Sequence, residues 1–269
     1  RRGWLFTGQH SVHLDAPRGT DPTGIPLERF VTCLQNHDQV GNRPFGERLH
    51  HQIEPAAYRA ASALLLLAPE TPLLFMGQEW AASTPFLYFT DHHAELGRMV
   101  TEGRREEFKQ FHAFASPEAR LRVPDPQAAS TFLASRLDWT ERLLPSHAAV
   151  LRLYSDLIAL RRGEPALKAG GRFDVWPLDE GTLAMRRELD TSAVLVVVRL
   201  KGAGAVEIAA DASAQAGPSR PAERWEPIRS TEQAEFGGDD RTIEVRSSAG
   251  GMTIAFSRPG AVVFRRLHD

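Results

Sequence analysis

The sequence predicts an α/β fold followed by an antiparallel β domain. A short apolar run, a helical stretch and a second short apolar run follow one another between residues 30 and 76. After Pro165 no long helical pattern remains, and short β-type runs alternate with Gly, Asp, Pro and Ser. A strand, helix, strand order with polar residues after both strands is typical of an α/β sheet or barrel.

Two strands and the helix between them are predicted from local composition. Phe30–Leu34 is a short apolar run bounded by polar residues, which favours a strand buried on both faces. Pro72–Met76 is a second short apolar strand. Pro55–Leu67 has Pro at its first position and is rich in Ala and Leu, the strong helix formers. We expect the strands to lie parallel as neighbours, with the helix crossing between them. His37 and Glu79 would then open onto the same face.

The remainder of the first part is predicted to be mainly helical. The stretch from His93 to Phe114 has an apolar side interrupted near Gly103, and its charged run Arg104 to Glu107 is interpreted as a solvated face. The residues expected on this apolar stripe are Leu96, Met99, Val100, Phe108, Phe111 and Phe114. His147–Arg162 has apolar residues at spacings of three and four, with cations at its end. Residues 1–163 and 164–269 are therefore predicted to be two domains, the second an antiparallel β-sandwich.

Composition restricts the function classes. The 269 residues carry a formal net charge of -2 with scattered Lys and Arg, which gives no indication of a nucleic-acid surface. No apolar run reaches the roughly 18 residues that span a membrane. The single cysteine, Cys33, is interpreted as a small buried hydrophobe, and a cytoplasmic location fits it. We do not expect the first ten residues to be a signal peptide.

A dense group of hydrogen-bonding side chains follows the first strand, and a smaller one follows the second. The candidate site residues among them are His37, Asp38, Gln39, Asn42, Arg43 and Glu79. An imidazole and a carboxylate together suit sugar hydroxyls, and a carboxylate can stabilise a developing oxocarbenium ion. The alternative is a self-satisfied loop in which Asn and Asp side chains cap the backbone.

Several segments resemble the α-amylase family of glycoside hydrolases. They are "QNHDQVGNRPFGERL", "TPLLFMGQEW", "PFLYFTDH", "GWLFTGQHS" and "PDPQAASTFLASRLDW", which together cover most of residues 1–163. The resemblance implies that residues 1–163 are the C-terminal part of a catalytic (β/α)8 barrel and that residues 164–269 are its C-terminal β domain. It implies an α-glucan substrate and, in the first hypothesis, hydrolysis of the α-1,4 bond next to a terminal trehalose unit.

The resemblance also implies roles for individual residues. Asp38 matches the family's transition-state-stabilising carboxylate and His37 the adjacent sugar-binding histidine. Gln39, Asn42 and Arg43 match loop residues near the scissile bond, and Glu79 is expected either to line the site or to brace a loop. Aromatic residues in loops more often pack locally, but those that could stack on sugar rings are Trp4, Phe6, Phe86, Tyr88 and Phe89.

The family's nucleophile and general acid are not expected in this chain. The resemblance places them on barrel strands four and five, whereas Phe30–Leu34 resembles strand seven and only 29 residues precede it. The segment around Asp15 resembles no nucleophile region. Since the chain also lacks an initiator Met, we expect it to be the C-terminal portion of a longer enzyme, inactive on its own.

Other functions stay open at this stage. A branching enzyme or another α-glucan hydrolase would use the same site residues. A metal phosphohydrolase would need further His and Asp ligands around His37 and Asp38 at helical spacing. A non-catalytic glucan-binding remnant is favoured by the missing strands. We predict no cofactor and no metal, and the sequence leaves the oligomeric state open.

Overall fold

The computed structural model describes residues 6–209, 223–248 and 251–267. Its first part contains a small antiparallel hairpin, a parallel strand pair and six helices. They are β1 (Thr7–Ser11), β2 (Ala16–Gly19), β3 (Val31–Cys33), α1 (His37–Gly41), α2 (Pro55–Leu67), β4 (Thr71–Leu73), α3 (Ala94–Glu107), α4 (Pro117–Arg120), α5 (Ala129–Ala134) and α6 (Pro145–Gly163). No helix in this described part of the chain is long and apolar enough to cross a membrane.

The predicted strand, helix, strand unit is confirmed. Strands β3 and β4 pair in parallel, with Val31 opposite Thr71, and α2 lies between them in the chain. Helix α2 has the predicted bounds, and Pro55 stands in its first turn. Because the strands are parallel, the loops that carry His37 and Glu79 both follow the carboxyl ends of the strands and lie at the same end of this sheet, as expected.

The carboxyl end of α2 is fixed by two arginines from other elements. Arg161 of α6 donates to the carbonyl oxygens of Leu66 and Ala68, at 2.7 and 2.5 Å. Arg187 donates to the carbonyl of Ala68 at 3.3 Å. Cations at this position complement the helix dipole and satisfy the carbonyls that end the helix. The turn from α2 into β4 is thereby fixed.

The prediction that the first strand is buried on both faces is wrong for this chain. Each strand has three residues rather than five, and Val31 and Leu73 remain 55% and 40% exposed. Cys33 is half-buried rather than buried. In the described residues β3 and β4 pair only with each other, so their outer edges and one face have no covering layer. The exposed apolar surface is what an incomplete sheet leaves.

The side that helix α3 buries agrees only in part with the predicted apolar side. It runs without a break through Gly103, and Leu96 and Met99, expected in the apolar stripe, are exposed. Phe108, just after the helix, is buried as predicted, but within the helix the buried positions are Gly97, Thr101 and Arg104. The interpretation of Arg104 as a solvated charge is therefore wrong, because its guanidinium binds backbone carbonyls of another segment.

The second part is an antiparallel β-sandwich. A five-stranded sheet has the order β5-β6-β7-β12-β9, and a three-stranded sheet has the order β10-β11-β8. The strands are β5 (Arg172–Pro177), β6 (Thr182–Leu189), β7 (Ser192–Arg199), β8 (Gly204–Ala209), β9 (Trp225–Ser230), β10 (Ile243–Ser248), β11 (Gly251–Phe256) and β12 (Gly260–Arg266). Leu195 and Phe264 of the larger sheet pack with Ile254 of the smaller one in a buried core.

The other face of the five-stranded sheet packs on the helices of the first part. Val196 and Val263 share a buried cluster with Leu66 of α2 and Leu157 of α6. Helix α6 ends at Gly163, where the boundary between the two domains is predicted. One core therefore extends across that boundary, and the sheet packs against both helices.

Candidate active site

The segment that follows β3 is the first site loop, and two of its side chains fix its path. Gln35 is buried, and its Oε1 accepts a hydrogen bond from the backbone N–H of Leu49 at 2.9 Å. Asn36 caps α1, because its Oδ1 accepts from the backbone N–H of Gln39 at 2.9 Å. Two of the polar residues after the strand are therefore structural.

Unlike Gln35 and Asn36, the side chains of Asp38 and His37 are directed toward solvent. His37 Nε2 lies 3.2 Å from Asp38 Oδ1, and both side chains are 73% exposed. Within the described residues, the polar partner of the Asp38 carboxylate is that imidazole. The two alternatives from the sequence, a sugar site and a loop of capping side chains, therefore apply to different residues. Asn36 is a helix cap, whereas the Asp38 carboxylate is exposed to solvent. A carboxylate held this way can bind hydroxyls or stabilise a cation.

Gln39, Asn42 and Arg43 occupy different environments around α1. Gln39 and Asn42 are exposed, and Asn42 ends the helix. The Arg43 side chain is half-buried, and its Nη1 is buried without a hydrogen-bond partner among the described residues. These residues lie with His37 and Asp38 on one short segment.

Arg104 is a site residue that the sequence reasoning missed. Its Nη2 donates to the carbonyl oxygens of Gly41 and Arg43, at 2.6 and 3.2 Å. Its Nη1 lies 3.4 Å from Asn42 Oδ1. Burial lowers the pKa of this guanidinium, which nonetheless stays cationic at neutral pH. Its acceptors are mostly backbone carbonyls, so no pattern of side chains in the sequence announces the contact.

Among the described residues, no hydrogen bond or ion pair joins Glu79 to the α1 residues. It lies in a short 3₁₀ turn, Gln78–Trp80, flanked by Gly77 and Ala81 in left-handed conformations. Burial lowers the pKa of the Arg48 guanidinium, and Glu79 lies close enough to oppose part of that shift. Whether Glu79 lines the site or braces its loop stays a prediction.

The turn around Glu79 is held from inside the core. Gln78 is fully buried, and its Nε2 donates to the hydroxyl of Tyr154 at 3.0 Å. The hydroxyl of Tyr58 donates to the backbone carbonyl of Gln78 at 2.7 Å. Because Tyr58 lies on α2 and Tyr154 on α6, both helices fix the loop that follows β4.

Arg48 ties the two site loops together. Its side chain is fully buried, and its Nη1 donates to the carbonyl of Met76 at 2.7 Å. Its Nε donates to the carbonyl of Thr84 at 2.6 Å. Arg48 belongs to the segment after β3, whereas both acceptors belong to the segment after β4. The loops are therefore one connected structure.

The candidate aromatic platforms pack locally. Phe86 meets the ring of Phe75 edge-on at 5.2 Å, and Phe89 meets Phe132 at 5.2 Å. The guanidinium carbon of Arg104 lies 4.9 Å from the centroid of the Tyr88 ring. The Phe6 ring lies 4.3 Å from the Arg18 guanidinium. Trp4 lies outside the described residues.

Among residues 6–209, 223–248 and 251–267, no group of three or more His, Cys, Asp and Glu side chains is arranged to hold a metal ion. His37 and Asp38 form a pair with each other. The sequence-based alternative of a metal phosphohydrolase therefore has no ligand set within these ranges.

This architecture is similar to that of α-amylase-type enzymes. A solved structure presented as a candidate alpha amylase from Salmonella typhimurium matches 99% of this chain and 40% of its own, with a TM-score of 0.74 and 29% sequence identity. The alpha-amylase from H. orenii matches 88% of this chain and 40% of its own, with a TM-score of 0.52. At 14% identity, the second match supports the fold alone.

The curated relatives carry a more specific name, malto-oligosyltrehalose trehalohydrolase. The protein from Deinococcus radiodurans is 52% identical over 171 residues, which is 62% of this chain and 28% of the relative. The protein from Arthrobacter ramosus is 45% identical over 168 residues, again 28% of its length. The chain is therefore homologous to trehalohydrolases, but the match spans about a quarter of their length. No family model matches it.

Proposed function

We propose that this chain is the C-terminal portion of a malto-oligosyltrehalose trehalohydrolase. The complete enzyme would hydrolyse the α-1,4 bond adjacent to the terminal trehalose unit of its glucan substrate and release trehalose. The observation that supports this most is the exposed His37–Asp38 pair beyond a parallel strand, in a chain 52% identical over 171 residues to a protein of that name.

In this proposal Asp38 stabilises the transition state. As the glycosidic bond breaks, positive charge develops on the sugar, and a carboxylate fixed beside it lowers the barrier. His37, 3.2 Å from that carboxylate, would donate to or accept from the sugar's hydroxyls. Gln39, Asn42, Arg43 and Glu79 would bind the remaining hydroxyls around the cleaved bond.

The nucleophile and the general acid would come from other strands of the complete polypeptide. Retaining hydrolysis requires two carboxyl groups about 5 Å apart, in addition to a stabilising group. Asp38 cannot attack the sugar and stabilise it from the side in the same step. The open outer edges of the β3–β4 pair are where further parallel strands would add.

A second candidate is another α-glucan-acting enzyme of this type. It is suggested by the Salmonella typhimurium structure, which is presented as a candidate alpha amylase and matches 99% of this chain at 29% identity. The two candidates share Asp38 and His37 and differ in the bond that is cleaved.

Product analysis separates the candidates. The complete polypeptide is incubated with malto-oligosyltrehalose and, separately, with a malto-oligosaccharide of equal length, and the released sugars are separated by chromatography. A trehalohydrolase releases trehalose from the first substrate and leaves the second nearly intact. Equal cleavage of both substrates without free trehalose would contradict the proposal and favour the second candidate.

A further inference from the structure

The helix that carries the proposed catalytic carboxylate is too short to hold its own position. Helix α1 has five residues, His37–Gly41. Isolated helices of this length are not stable in water, because nucleation costs more than one turn of hydrogen bonds returns. The place of Asp38 therefore depends on what fixes the two ends of α1. The amino end is capped by Asn36 and preceded by the buried Gln35.

The carboxyl end is held by one side chain from a helix some sixty residues further on. The Arg104 guanidinium donates to the carbonyl oxygens of Gly41 and Arg43 and reaches the amide oxygen of Asn42. Three successive residues at the end of α1 therefore bind one cation. A cation is also the charge that the carbonyl end of a helix favours.

The guanidinium is itself immobilised. It lies between two aromatic rings, with its central carbon 4.9 Å from the centroid of Tyr88 and 4.8 Å from that of Phe108. Its Nη1 lies 3.2 Å from Glu107 Oε2, and Arg104 as a whole is 7% exposed. Because the planar Arg104 guanidinium is held both by the rings on its faces and by polar contacts at its edges, it restricts the movement of the α1 carbonyls that it binds.

We propose that Arg104 is a positioning residue for Asp38. By holding the carbonyl end of α1, it sets where the Asp38 carboxylate meets the sugar. Arg104 does not touch the substrate and acts through the backbone of Gly41 to Arg43. This inference rests on the proposed function, because it takes Asp38 as the stabilising carboxylate.

The chemistry of arginine distinguishes this role from simple packing. A lysine at position 104 would keep the charge, but its single ammonium cannot span the same carbonyls or stack on both rings. Methionine would keep much of the apolar volume and remove every donor. A displacement of a catalytic group by about 1 Å can cost about 100-fold in rate, so a loosened α1 should affect turnover more than binding.

The test compares Arg104→Lys and Arg104→Met with a control on the same helix, Arg98→Met. Arg98 is exposed and pairs with Glu102 at 2.8 Å, away from α1. Two measurements are made. Hydrogen exchange is followed for the amides of residues 37–43 in this 269-residue chain. Steady-state trehalose release is measured for the complete polypeptide, with Asp38→Asn in parallel.

Both Arg104 variants should exchange the amides of residues 37–43 at least about 10-fold faster while α6 stays protected. We expect kcat to fall at least about 10-fold with KM within about three-fold, and Arg98→Met to match the wild type. Unchanged exchange at 37–43, or acceleration spread equally over α6, would overturn the inference. So would an unchanged kcat when Asp38→Asn is inactive. An active Asp38→Asn enzyme would instead remove the proposed function.

Discussion

Arg59 and Glu232 are joined by a buried salt bridge between the helical part and the β-sandwich. Arg59 Nη2 lies 2.7 Å from Glu232 Oε1, and the two side chains are 6% and 1% exposed. A second cation, Arg258, lies 2.7 Å from the other oxygen of the same carboxylate. Since Arg59 lies on α2, this pair anchors the helix that connects β3 to β4.

Removing the carboxylate should be strongly destabilising. Glu232→Ala leaves the Arg59 guanidinium buried without its ion-pair partner, which we expect to lower the free energy of unfolding by about 3–5 kcal/mol. Urea denaturation followed by circular dichroism measures the change. Glu244→Ala is the control, because Glu244 pairs with Arg246 on an exposed strand and should cost less than about 1 kcal/mol. Equal costs for the two variants would contradict the account.

A glycine in the first site loop should not tolerate a side chain. Gly46 has a φ of +61°, and an added Cβ would lie 2.4 Å from the carbonyl carbon and oxygen of Phe86. We expect Gly46→Ala to lower the unfolding free energy by about 1–3 kcal/mol, from backbone strain and this collision. Thermal and urea unfolding of the purified chain measure it.

Gly103→Ala serves as the matched substitution. Gly103 lies inside α3, and no heavy atom would lie within 4 Å of its added Cβ. Alanine is the better helix former there, so this variant should gain about 0.5–1 kcal/mol. A destabilised Gly103→Ala, or a neutral Gly46→Ala, would show that the conformation of these segments differs from the one described.

Local sequence pattern was sufficient to predict α2, the parallel strands and the β-sandwich. Pro55 and the Ala and Leu residues that follow it specify a helix by composition alone, and the alternating runs after Pro165 specify strands. The exposure of Val31 and Leu73 could not be predicted in the same way. Apolar composition reports that a residue suits a buried strand, but burial depends on neighbouring strands that must be present.

Arg104 shows why part of the site was missed. In the sequence it stands beside Arg105, Glu106 and Glu107, a pattern typical of a solvated helix face. Its partners at Gly41 and Arg43 are backbone carbonyls, which every residue has, so the contact leaves no signature in residue types. His37 and Asp38 could be proposed as site residues from the sequence, because their imidazole and carboxylate groups can themselves bind sugar hydroxyls or stabilise a cation.

His50 should make stability depend on pH below neutrality. Its Nε2 donates to the carbonyl of Ala82 at 2.8 Å, while its Nδ1 is buried without a partner among the described residues. Burial is the main cause that lowers the pKa of His50 from 6.5 to about 4; the hydrogen bond to Ala82 opposes this shift, and the nearby Arg48, His51 and His147 add to it. The folded protein therefore resists protonating this imidazole.

The direction of the pH dependence follows from the pKa of His50 in the unfolded chain and in the folded chain. Above pH 6.5 the imidazole is neutral in both states and contributes no pH dependence. Between pH 6.5 and about 4 the unfolded chain binds a proton that the folded chain does not, so the unfolding free energy falls as the pH falls. His50→Gln, whose amide can still donate to Ala82, should flatten this slope between about pH 7 and about pH 4.5. An exposed control, His112→Gln, should not.

The 269-residue chain alone should not hydrolyse malto-oligosyltrehalose. Asp38 can stabilise a cation, but cleavage also needs a nucleophile and an acid at fixed separation. Purified chain and the Deinococcus radiodurans trehalohydrolase, as positive control, are assayed for trehalose release. Sustained turnover by the chain would mean that its catalytic carboxylates have been misassigned.

If Asp38 stabilises the transition state of a trehalose-releasing hydrolase, as we propose, then its charge is essential to turnover. The most direct measurement is kcat for trehalose release by the complete polypeptide and its Asp38→Asn variant, with circular dichroism to verify folding. Asparagine keeps nearly the same volume and removes the charge. We predict a fall of at least about 100-fold in kcat with the fold intact. A kcat within a few-fold of the wild type would contradict the account, because Asp38 would then be only a loop residue.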